Sequence, residues 1–210
     1  MIASERGIRM RLVSAARRLA KLGMSPGTSG NLSARVKNGY LVTPSGSSFA
    51  TVSPDELVYM GDDWTHSGGQ LPASSEWRLH RDIYRHHGSA QAVVHTHSPM
   101  ATTLASLGRP IPAIHYEVAY AGGNDIPCVP YATFGTQQLS DHVVTGLRNR
   151  RACLVANHGA VAIGPGIDEA AVLAERVEHL AGLYWRALQA GDPVILDEEE
   201  IRRVAARFET

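Results

Sequence analysis

Short strand-like segments alternate with amphipathic helical segments along this chain, and that alternation constrains the fold more than any other feature. Apolar residues at helical spacing predict helices over residues 4–22, 74–87, 136–149 and 168–189. A further helix is predicted to start at Ser98-Pro99, and a last short helix is predicted after Asp197. Strands are predicted over residues 34–43 (a hairpin around Asn38-Gly39), 57–60, 92–97, 152–156 and 161–163. The pattern favours an α/β fold in which helices cover a mainly antiparallel sheet.

The size and charge of the chain limit the number of domains it can form and the classes of protein to which it can belong. Its 210 residues are enough for one substantial core and few for two, so we predict a single domain over residues 1–210. Twenty Lys and Arg balance twenty Asp and Glu, which argues against a nucleic-acid binder because such proteins usually carry a basic excess. A phosphate site remains compatible with zero net charge, since a few backbone amides can bind a phosphate.

The two cysteines, Cys128 and Cys153, belong to no CxxC pair and are interpreted as buried and unreactive. Unpaired thiols favour a reduced, cytoplasmic environment. The first residues carry charges throughout and predict no signal peptide. No apolar run approaches the ~20 residues that cross a bilayer, so we expect no membrane partner.

A pair of histidines at strand spacing is the strongest chemical signal. Alternate residues of a strand share a face, so His95 and His97 present two imidazoles on one side, after the apolar residues 92–94. His158 follows a second apolar strand and precedes Gly159. Two strands that end side by side would gather three imidazoles, and three histidines with an open fourth position are typical of a catalytic zinc site. Spacing alone leaves metal binding and ordinary structural histidines about equally supported.

Six other histidines are interpreted as exposed or helix-surface residues without a chemical role. They are His66, His80, His86, His87, His142 and His179.

Several longer motifs carry a family resemblance. They are GTSGN (27–31), TPSG (43–46), SSEWRLH (74–80), AVVHTHS (92–98), IPAIHY (111–116), AGGNDIPCVPYATFGT (121–136) and NHGA (157–160). In this order, over nearly the whole chain, they resemble the class II aldolase/adducin family, most of all its branch acting on L-fuculose 1-phosphate. The resemblance implies an α/β/α domain around a central antiparallel sheet. It also implies a C4 homotetramer with active sites between subunits.

The same resemblance implies a set of site residues. His95, His97 and His158 match the zinc histidines, and Glu76 matches an acidic residue that joins the resting zinc site and acts as general acid/base. From the sequence alone Glu76 would be interpreted as a first-turn helix residue that favours the dipole. The implied substrate-phosphate site has three segments, and hydroxyls with unpaired amides at a helix start suit a phosphate. Its residues are Thr28, Gly30, Asn31, Ser45, Gly46, Ser74 and Ser75.

Two aromatic residues match positions near the aldehyde end of the substrate. Tyr116 matches a tyrosine that reaches the neighbouring subunit's active site and protonates the nascent hydroxyl there; an ordinary interface aromatic is its alternative. Phe134 matches an aromatic of the aldehyde pocket, with core packing as its alternative. The sequence given lacks the tyrosine-bearing C-terminal tail of the L-fuculose 1-phosphate enzymes, so we expect the aldehyde end to differ from theirs.

The implied activity is a zinc-dependent aldolase, a lyase of carbohydrate metabolism. It would cleave a ketose 1-phosphate, L-fuculose 1-phosphate or a related pentulose or deoxypentulose 1-phosphate, to dihydroxyacetone phosphate and a short aldehyde. The family also contains L-ribulose-5-phosphate 4-epimerases, methylthioribulose-1-phosphate dehydratases and decarboxylases of 3-oxo acid phosphates. An adducin-like interaction module without catalysis is the alternative from another class.

Overall fold

Nine strands form in the computed structural model, which describes residues 4–61 and 71–208. They are β1 Asn31–Val36, β2 Gly39–Val42, β3 Val58–Gly61, β4 Ala92–Thr96, β5 Ile111–Pro112, β6 Asp125–Ile126, β7 Cys128–Val129, β8 Ala152–Val155 and β9 Gly159–Gly164. Seven of them make one sheet in the order β3-β2-β1-β4-β9-β8-β7. Every neighbouring pair in that sheet is antiparallel except β7 and β8, and β5 pairs with β6 in a separate ribbon.

Six α-helices accompany the sheet: α1 Glu5–Lys21, α2 Trp77–His86, α3 Pro99–Ser106, α4 Gln137–Leu147, α5 Ile167–Ala190 and α6 Glu198–Phe208. Short 3-10 helices cover Pro54–Glu56 and Tyr116–Ala121. The predicted α/β class, with a mainly antiparallel sheet between helices, is confirmed. A single domain over residues 1–210 stays a prediction, since residues 1–3, 62–70 and 209–210 lie outside the described part.

Alternation along the central strands builds two cores. Ala92 and Val94 of β4 face the core that contains the apolar residues of α1, α3 and α5. Val93 faces the opposite core, which contains the apolar residues of α2 and α4. His95 continues the Val93 face because alternate residues of a strand point the same way. The side chain of His95 therefore points toward the α2 face of the sheet.

The hairpin predicted around Asn38-Gly39 forms, but its turn is one residue earlier than predicted. Val36 pairs with Gly39, so Lys37 and Asn38 make the turn, and Asn38 takes the left-handed conformation with φ 59°. Gly39 is already in β2, opposite Gly61 of β3. A Cβ at Gly39 would lie 2.2 Å from the carbonyl oxygen of Met60. The close approach of the neighbouring strand, not the turn, requires this glycine.

Helix α2 begins later than the predicted start at residue 74. Glu76 occupies the N-cap position and the helix begins at Trp77. The Ser74 hydroxyl accepts a hydrogen bond from the Glu76 amide at 3.3 Å, and the Ser74 amide donates to the carbonyl of Thr43. Ser74 thus links the loop after β2 to the start of α2, instead of capping the helix.

The cysteines match the predicted burial only in part. Cys153 is fully buried, whereas Cys128 is half-buried, so the prediction for Cys128 was wrong. Burial raises the pKa of both thiols, which keeps them protonated at neutral pH. Neither thiol is in a disulfide. Over residues 4–61 and 71–208, no helix combines the length and the apolar character that crossing a membrane requires.

Gly39→Ala is expected to destabilise the fold by roughly 1–3 kcal/mol, because the added methyl meets backbone that cannot move without disturbing β3. Gly88→Ala is the matched control, since a Cβ there meets nothing within 4 Å. Urea denaturation of both variants measures the difference. Equal midpoints for the two variants would contradict the steric role given to Gly39.

Candidate functional site

Three histidine side chains meet at one edge of the sheet. His95 lies near the end of β4, His97 follows that strand, and His158 lies in the turn between β8 and β9. The turn lies beside the end of β4 because Thr96 pairs with Ala160. The Nε2 atom of His95 is 3.1 Å from that of His97 and 3.3 Å from that of His158. One nitrogen from each ring lies within 4.8 Å of the others.

The turn that carries His158 is tightly packed. Asn157 has a φ of 54°, a left-handed conformation that asparagine tolerates better than most residues. A Cβ at Gly159 would lie 2.3 Å from the carbonyl oxygen of Thr96 and 3.1 Å from the ring of His97. The missing side chain lets β9 approach β4 closely enough to bring His158 beside His95.

Helix α3 begins at Pro99, two residues after His97, as the Ser98-Pro99 pair predicts. Glu178 of α5 accepts hydrogen bonds from the amides of Met100 and Ala101, each at 2.8 Å. A carboxylate at a helix N-terminus satisfies free amides and complements the helix dipole. This contact fixes the chain just after His97.

Glu76 brings a carboxylate from the start of α2 to the histidines. Its Oε2 lies 3.2 Å from Nε2 of His95, and its Oε1 lies 3.4 Å from Nε2 of His158. Asn31, which pairs with His95 across β1 and β4, donates a hydrogen bond to Oε2 at 2.8 Å. Oε1 is buried and accepts no hydrogen bond from the described residues.

The protonation states of His97, His158 and Glu76 suit the binding of a cation. Burial, reinforced by the charge on His95, lowers the pKa of His97 to about 3 and of His158 to about 4, so both rings are neutral near pH 7. Burial opposes ionisation of Glu76, but His95, His158 and the hydrogen bond from Asn31 outweigh it and lower the pKa of the carboxyl. Burial likewise opposes protonation of His95, and Glu76 outweighs it and raises the pKa of that ring.

The orientation of His95 leaves one nitrogen for the cluster. Its Nδ1–H donates to the carbonyl oxygen of Ala160 at 3.0 Å. A backbone acceptor on one ring nitrogen is the usual way that proteins orient a metal-binding imidazole. Nε2 of His95 therefore points at His97, His158 and Glu76.

The spacing of these four side chains fits a tetrahedral ion. Ligands placed 2.0–2.1 Å from Zn²⁺ in a tetrahedron lie roughly 3.3 Å apart. Around Nε2 of His95, the nitrogens of His97 and His158 lie 3.1 and 3.3 Å away and one Glu76 oxygen lies 3.2 Å away. The other Glu76 oxygen lies 3.4 Å from Nε2 of His158. The residues present fit a divalent metal ion.

A cavity of about 280 Å³ opens beside the cluster. Hydroxyl, glycine and aromatic residues share its surface with Glu76, His97 and His158. The described residues that line it are Thr28, Ser29, Gly30, Asn31, Pro44, Ser45, Gly46, Ser74, Ser75, Glu76, His97, Tyr131, Phe134, Asn157 and His158.

Glycine holds the first loop of this cavity against the histidines. Gly30 has a φ of 79°, and a Cβ there would lie 2.7 Å from the carbonyl oxygen of His95. Two separate constraints, the left-handed backbone and the close approach, thus require glycine at this position. The loop that carries the hydroxyls of Thr28 and Ser29 is thereby held next to β4.

Comparison with known proteins identifies this arrangement. The sequence model of the Class II Aldolase and Adducin N-terminal domain matches residues 10–185. The chain belongs to the class II aldolase and adducin family.

Relatives match nine tenths or more of this class II aldolase chain. The chain is 48% identical over 210 residues, 100% of its length and 95% of the relative, to a 5-methylthioribulose-1-phosphate/5-deoxyribulose-1-phosphate aldolase of Rhodospirillum rubrum. It is 46% identical over 193 residues, 91% of the chain and 89% of the relative, to an L-fuculose phosphate aldolase of Escherichia coli O6:H1. A solved structure of an L-fuculose 1-phosphate aldolase superposes with a TM-score of 0.94 at 34% identity, covering 100% of this chain and 99% of that one.

The class II aldolase domain brings most of the predicted site residues together. All seven residues predicted for the phosphate line the cavity, as do Phe134 and Glu76. Among the described residues that line it, Tyr116 does not appear, and its side chain is 46% exposed. The role of each residue stays a prediction.

Sequence reasoning missed five residues near the site. Ser29, Pro44, Tyr131 and Asn157 line the cavity. His80, interpreted as a surface histidine, is fully buried and contacts Asn31, so that interpretation was wrong. The spacing of Glu76 and His80, four residues apart on one helix face, was the available signal. His86 and His179 are exposed and His87 and His142 are half-buried, while His66 lies outside the described residues.

His158→Ala is expected to weaken binding of a divalent ion by more than about 100-fold, since it removes a donor atom and not merely a supporting contact. Elemental analysis after dialysis against a weak chelator measures the metal per chain. His179→Ala, at an exposed position on α5, is the control and should bind metal as the wild type does. Wild-type metal content in His158→Ala would exclude His158 as a ligand.

Proposed function

We propose that the chain is a metal-dependent aldolase that reversibly cleaves a ketose 1-phosphate to dihydroxyacetone phosphate and a short aldehyde. One observation carries the proposal: His97, His158 and Glu76 of the histidine–carboxylate cluster line the same cavity as three hydroxyl- and glycine-bearing segments. Such a substrate carries its ketone at C2, next to the phosphate on C1, so the groups that polarise the ketone and those that bind the phosphate must lie side by side. The family membership and the aldolase relatives support this class of reaction.

We propose Zn²⁺ as the ion, one per chain, with His95, His97, His158 and Glu76 as ligands. Nitrogen and carboxylate donors at tetrahedral spacing support zinc, although imidazoles also bind other divalent ions. A bound ion of this kind supplies Lewis acidity that polarises a carbonyl and offsets developing negative charge.

Glu76 is the proposed proton carrier. In a ketose 1-phosphate, cleavage breaks the C3–C4 bond: the C4 hydroxyl loses its proton and becomes the aldehyde, while C3 gains a proton in the triose phosphate. The ionised Glu76 has one oxygen, Oε1, that accepts no hydrogen bond from the described residues. That oxygen can hold a proton and deliver it to C3, and remove it in the direction of synthesis.

The phosphate end of the substrate is assigned to the hydroxyl-rich side of the cavity. Thr28, Ser45, Ser74 and Ser75 offer hydroxyls, and the start of α2 offers its positive dipole end. Gly30 and Gly46 both adopt left-handed conformations, which lets the backbone of each loop turn toward the cavity. One side-chain N–H of Asn31 is used by Glu76 and its side-chain carbonyl by His80. A contact of Asn31 with phosphate would therefore use its second side-chain N–H or its backbone.

Aromatic lining favours a substrate with an apolar terminal carbon. Tyr131 and Phe134 are 55% and 63% exposed, and both line the cavity. A 5-deoxy or 5-methylthio group would cover such surface without burying a hydroxyl. The full-length relative at 48% identity is named for these two substrates. We therefore propose 5-deoxyribulose 1-phosphate and 5-methylthioribulose 1-phosphate, with L-fuculose 1-phosphate as the second candidate because of the L-fuculose phosphate relatives.

The proposed enzyme is a cytoplasmic C4 homotetramer with active sites between subunits. Support for a shared site comes from Tyr116, which begins a 3-10 helix with 46% of its surface exposed, apart from the cavity of its own chain. In a ring of subunits this tyrosine would enter the neighbour's cavity and serve the aldehyde oxygen.

Zinc-loaded protein is expected to release dihydroxyacetone phosphate from all three ketose phosphates, with kcat/KM about tenfold higher for the 5-deoxy and 5-methylthio substrates. A coupled assay for the triose phosphate measures the rate. The products also separate the alternatives. An epimerase or a dehydratase converts the sugar phosphate without releasing triose phosphate, a decarboxylase releases CO₂, and a binding module leaves the substrate unchanged.

Glu76→Gln tests the proton carrier in the same assay and should lower kcat by about 10²–10⁴-fold. Glu199→Gln, on the exposed face of α6, is the matched control and should keep wild-type kcat. Absence of triose phosphate from every substrate would overturn the proposal, as would wild-type kcat in Glu76→Gln.

Co-expression of Glu76→Gln and Tyr116→Phe chains tests the shared site. Each parent alone should be nearly inactive. In randomly mixed tetramers about a quarter of the sites would combine an intact Glu76 with an intact Tyr116 from the neighbour, so about a quarter of wild-type activity should return. Tetramers purified through two different tags are assayed for triose release. Activity no greater than the mean of the parents would place Tyr116 in its own chain's site.

A further inference from the structure

A continuous chain of buried polar contacts leads away from Glu76 into the protein. It passes through Asn31, His80, Ser33 and Tyr84, all of them buried. We propose that His80 is a positioning residue that, through Asn31, fixes the orientation of the Glu76 carboxylate. Its effect on catalysis rests on the proposed function, whereas the order of the hydrogen bonds does not.

The first contact sets the orientation of the Asn31 amide. The NH₂ group of Asn31 faces Glu76 and donates a hydrogen bond to its Oε2 at 2.8 Å. The carbonyl oxygen of Asn31 then faces the opposite way, toward Nε2 of His80. A carbonyl oxygen only accepts, so Nε2 of His80 must carry a hydrogen.

The second contact fixes the other nitrogen of His80. Burial lowers the pKa of this ring to about 3, which leaves it neutral with a single N–H. With that hydrogen on Nε2, Nδ1 is an acceptor, and it lies 2.7 Å from the Ser33 hydroxyl. Ser33 must therefore donate to His80. Its oxygen, 2.7 Å from the Tyr84 hydroxyl, accepts from that tyrosine in turn.

Every donor in this chain thus points toward the carboxylate. The order is Tyr84 O–H to Ser33, Ser33 O–H to His80, His80 N–H to Asn31, and Asn31 N–H to Glu76. Only one tautomer of His80 and one rotamer of the Asn31 amide are compatible with it. The opposite amide rotamer would place a carbonyl oxygen against the ionised Glu76, so His80 selects between an attractive and a repulsive arrangement.

Two secondary-structure elements hold the hydrogen-bonded residues in place. Asn31, Ser33 and Arg35 are alternate residues of β1 and share its α2 face. Glu76, His80 and Tyr84 are spaced four residues apart along α2 and share the face that meets β1. Arg35 closes the far end, with its guanidinium 4.7 Å from the Tyr84 ring centre and a hydrogen bond to the Tyr84 carbonyl.

As a consequence, the two oxygens of Glu76 have different roles. Oε2 is held by Asn31, while Oε1 accepts no hydrogen bond from the described residues and is the oxygen proposed to carry the proton. Without His80, the Asn31 carbonyl would be buried with no donor, and nothing would hold the NH₂ group of Asn31 toward Glu76. The carboxylate would remain present but incorrectly oriented.

The hydrogen-bond order is tested without activity by ¹⁵N NMR of histidine-labelled protein. The expected spectrum shows His80 neutral, with the hydrogen on Nε2 and an unprotonated Nδ1. Ser33→Ala should alter the Nδ1 resonance of His80, and Asn31→Ala should alter its Nε2 resonance. A hydrogen on Nδ1 of His80 would overturn the proposal.

Kinetics test the route through Asn31. At saturating zinc, His80→Leu should lower kcat about 10–100-fold while KM changes less than about threefold. His80→Gln should recover at least about tenfold of that kcat, because a glutamine can donate to Asn31 and accept from Ser33. His86→Gln, at an exposed position on the same helix, is the control and should keep wild-type kcat.

A double-mutant cycle separates positioning from stability. If His80 acts through Asn31, the pair Asn31→Ala with His80→Leu should have the kcat of Asn31→Ala alone within about threefold. Losses that multiply in the pair would overturn the proposal, as would an unchanged kcat in a folded His80→Leu protein. Should His80→Leu fail to fold in a thermal melt, the NMR result and His80→Gln decide. Absence of aldolase activity in the wild type would overturn the proposed function, not the tautomer.

Discussion

The burial of an ionised carboxylate is the constraint on which the rest of this structure depends. Glu76 lies almost entirely out of solvent at the start of α2, where an isolated charge would be strongly unfavourable. Its neighbours compensate: His95 and His158 contact its two oxygens, and Asn31 donates to one of them. Removing any one partner would leave a buried group unsatisfied, so the site and its surroundings form one unit.

The sheet topology supplies those partners from distant parts of the chain. Asn31 comes from the start of β1 and His95 from the end of β4, and the two are opposite each other because the strands are antiparallel. His158 arrives through the turn after β8, next to the end of β4. Glycines at positions 30 and 159 allow the close backbone approach that this convergence requires. The proposed metal donors, the proposed proton carrier and the loops proposed to bind the substrate therefore occupy a single edge of the sheet.

Much of this could be predicted from the sequence. The strand ending in His95 and His97 and the helix starting near Glu76 follow from periodicity, because side-chain spacing is a local property. The family resemblance assigns Glu76 and the three loops to the predicted site. Local patterns alone would assign them to a helix end and to ordinary turns.

The errors share a physical cause. The turn at Asn38 and the glycine beside β3 depend on how closely two strands approach, which sequence periodicity does not encode. The sequence predicts a surface position for His80, because a histidine on an amphipathic helix often has one. Its burial follows from Asn31 and Ser33 on β1, more than forty residues away in the chain. Positioning contacts of this kind become visible only when the elements are assembled.

A crystal structure of the protein with zinc and inorganic phosphate tests the central claim most directly, which is that this edge of the sheet is one site for a metal ion and a phosphate. The expected result is an anomalous zinc peak about 2.0–2.1 Å from Nε2 of His95, His97 and His158, with phosphate bound against Thr28 and Ser75 in the same cavity. Zinc bound away from these nitrogens, or phosphate bound outside the cavity, would contradict the account.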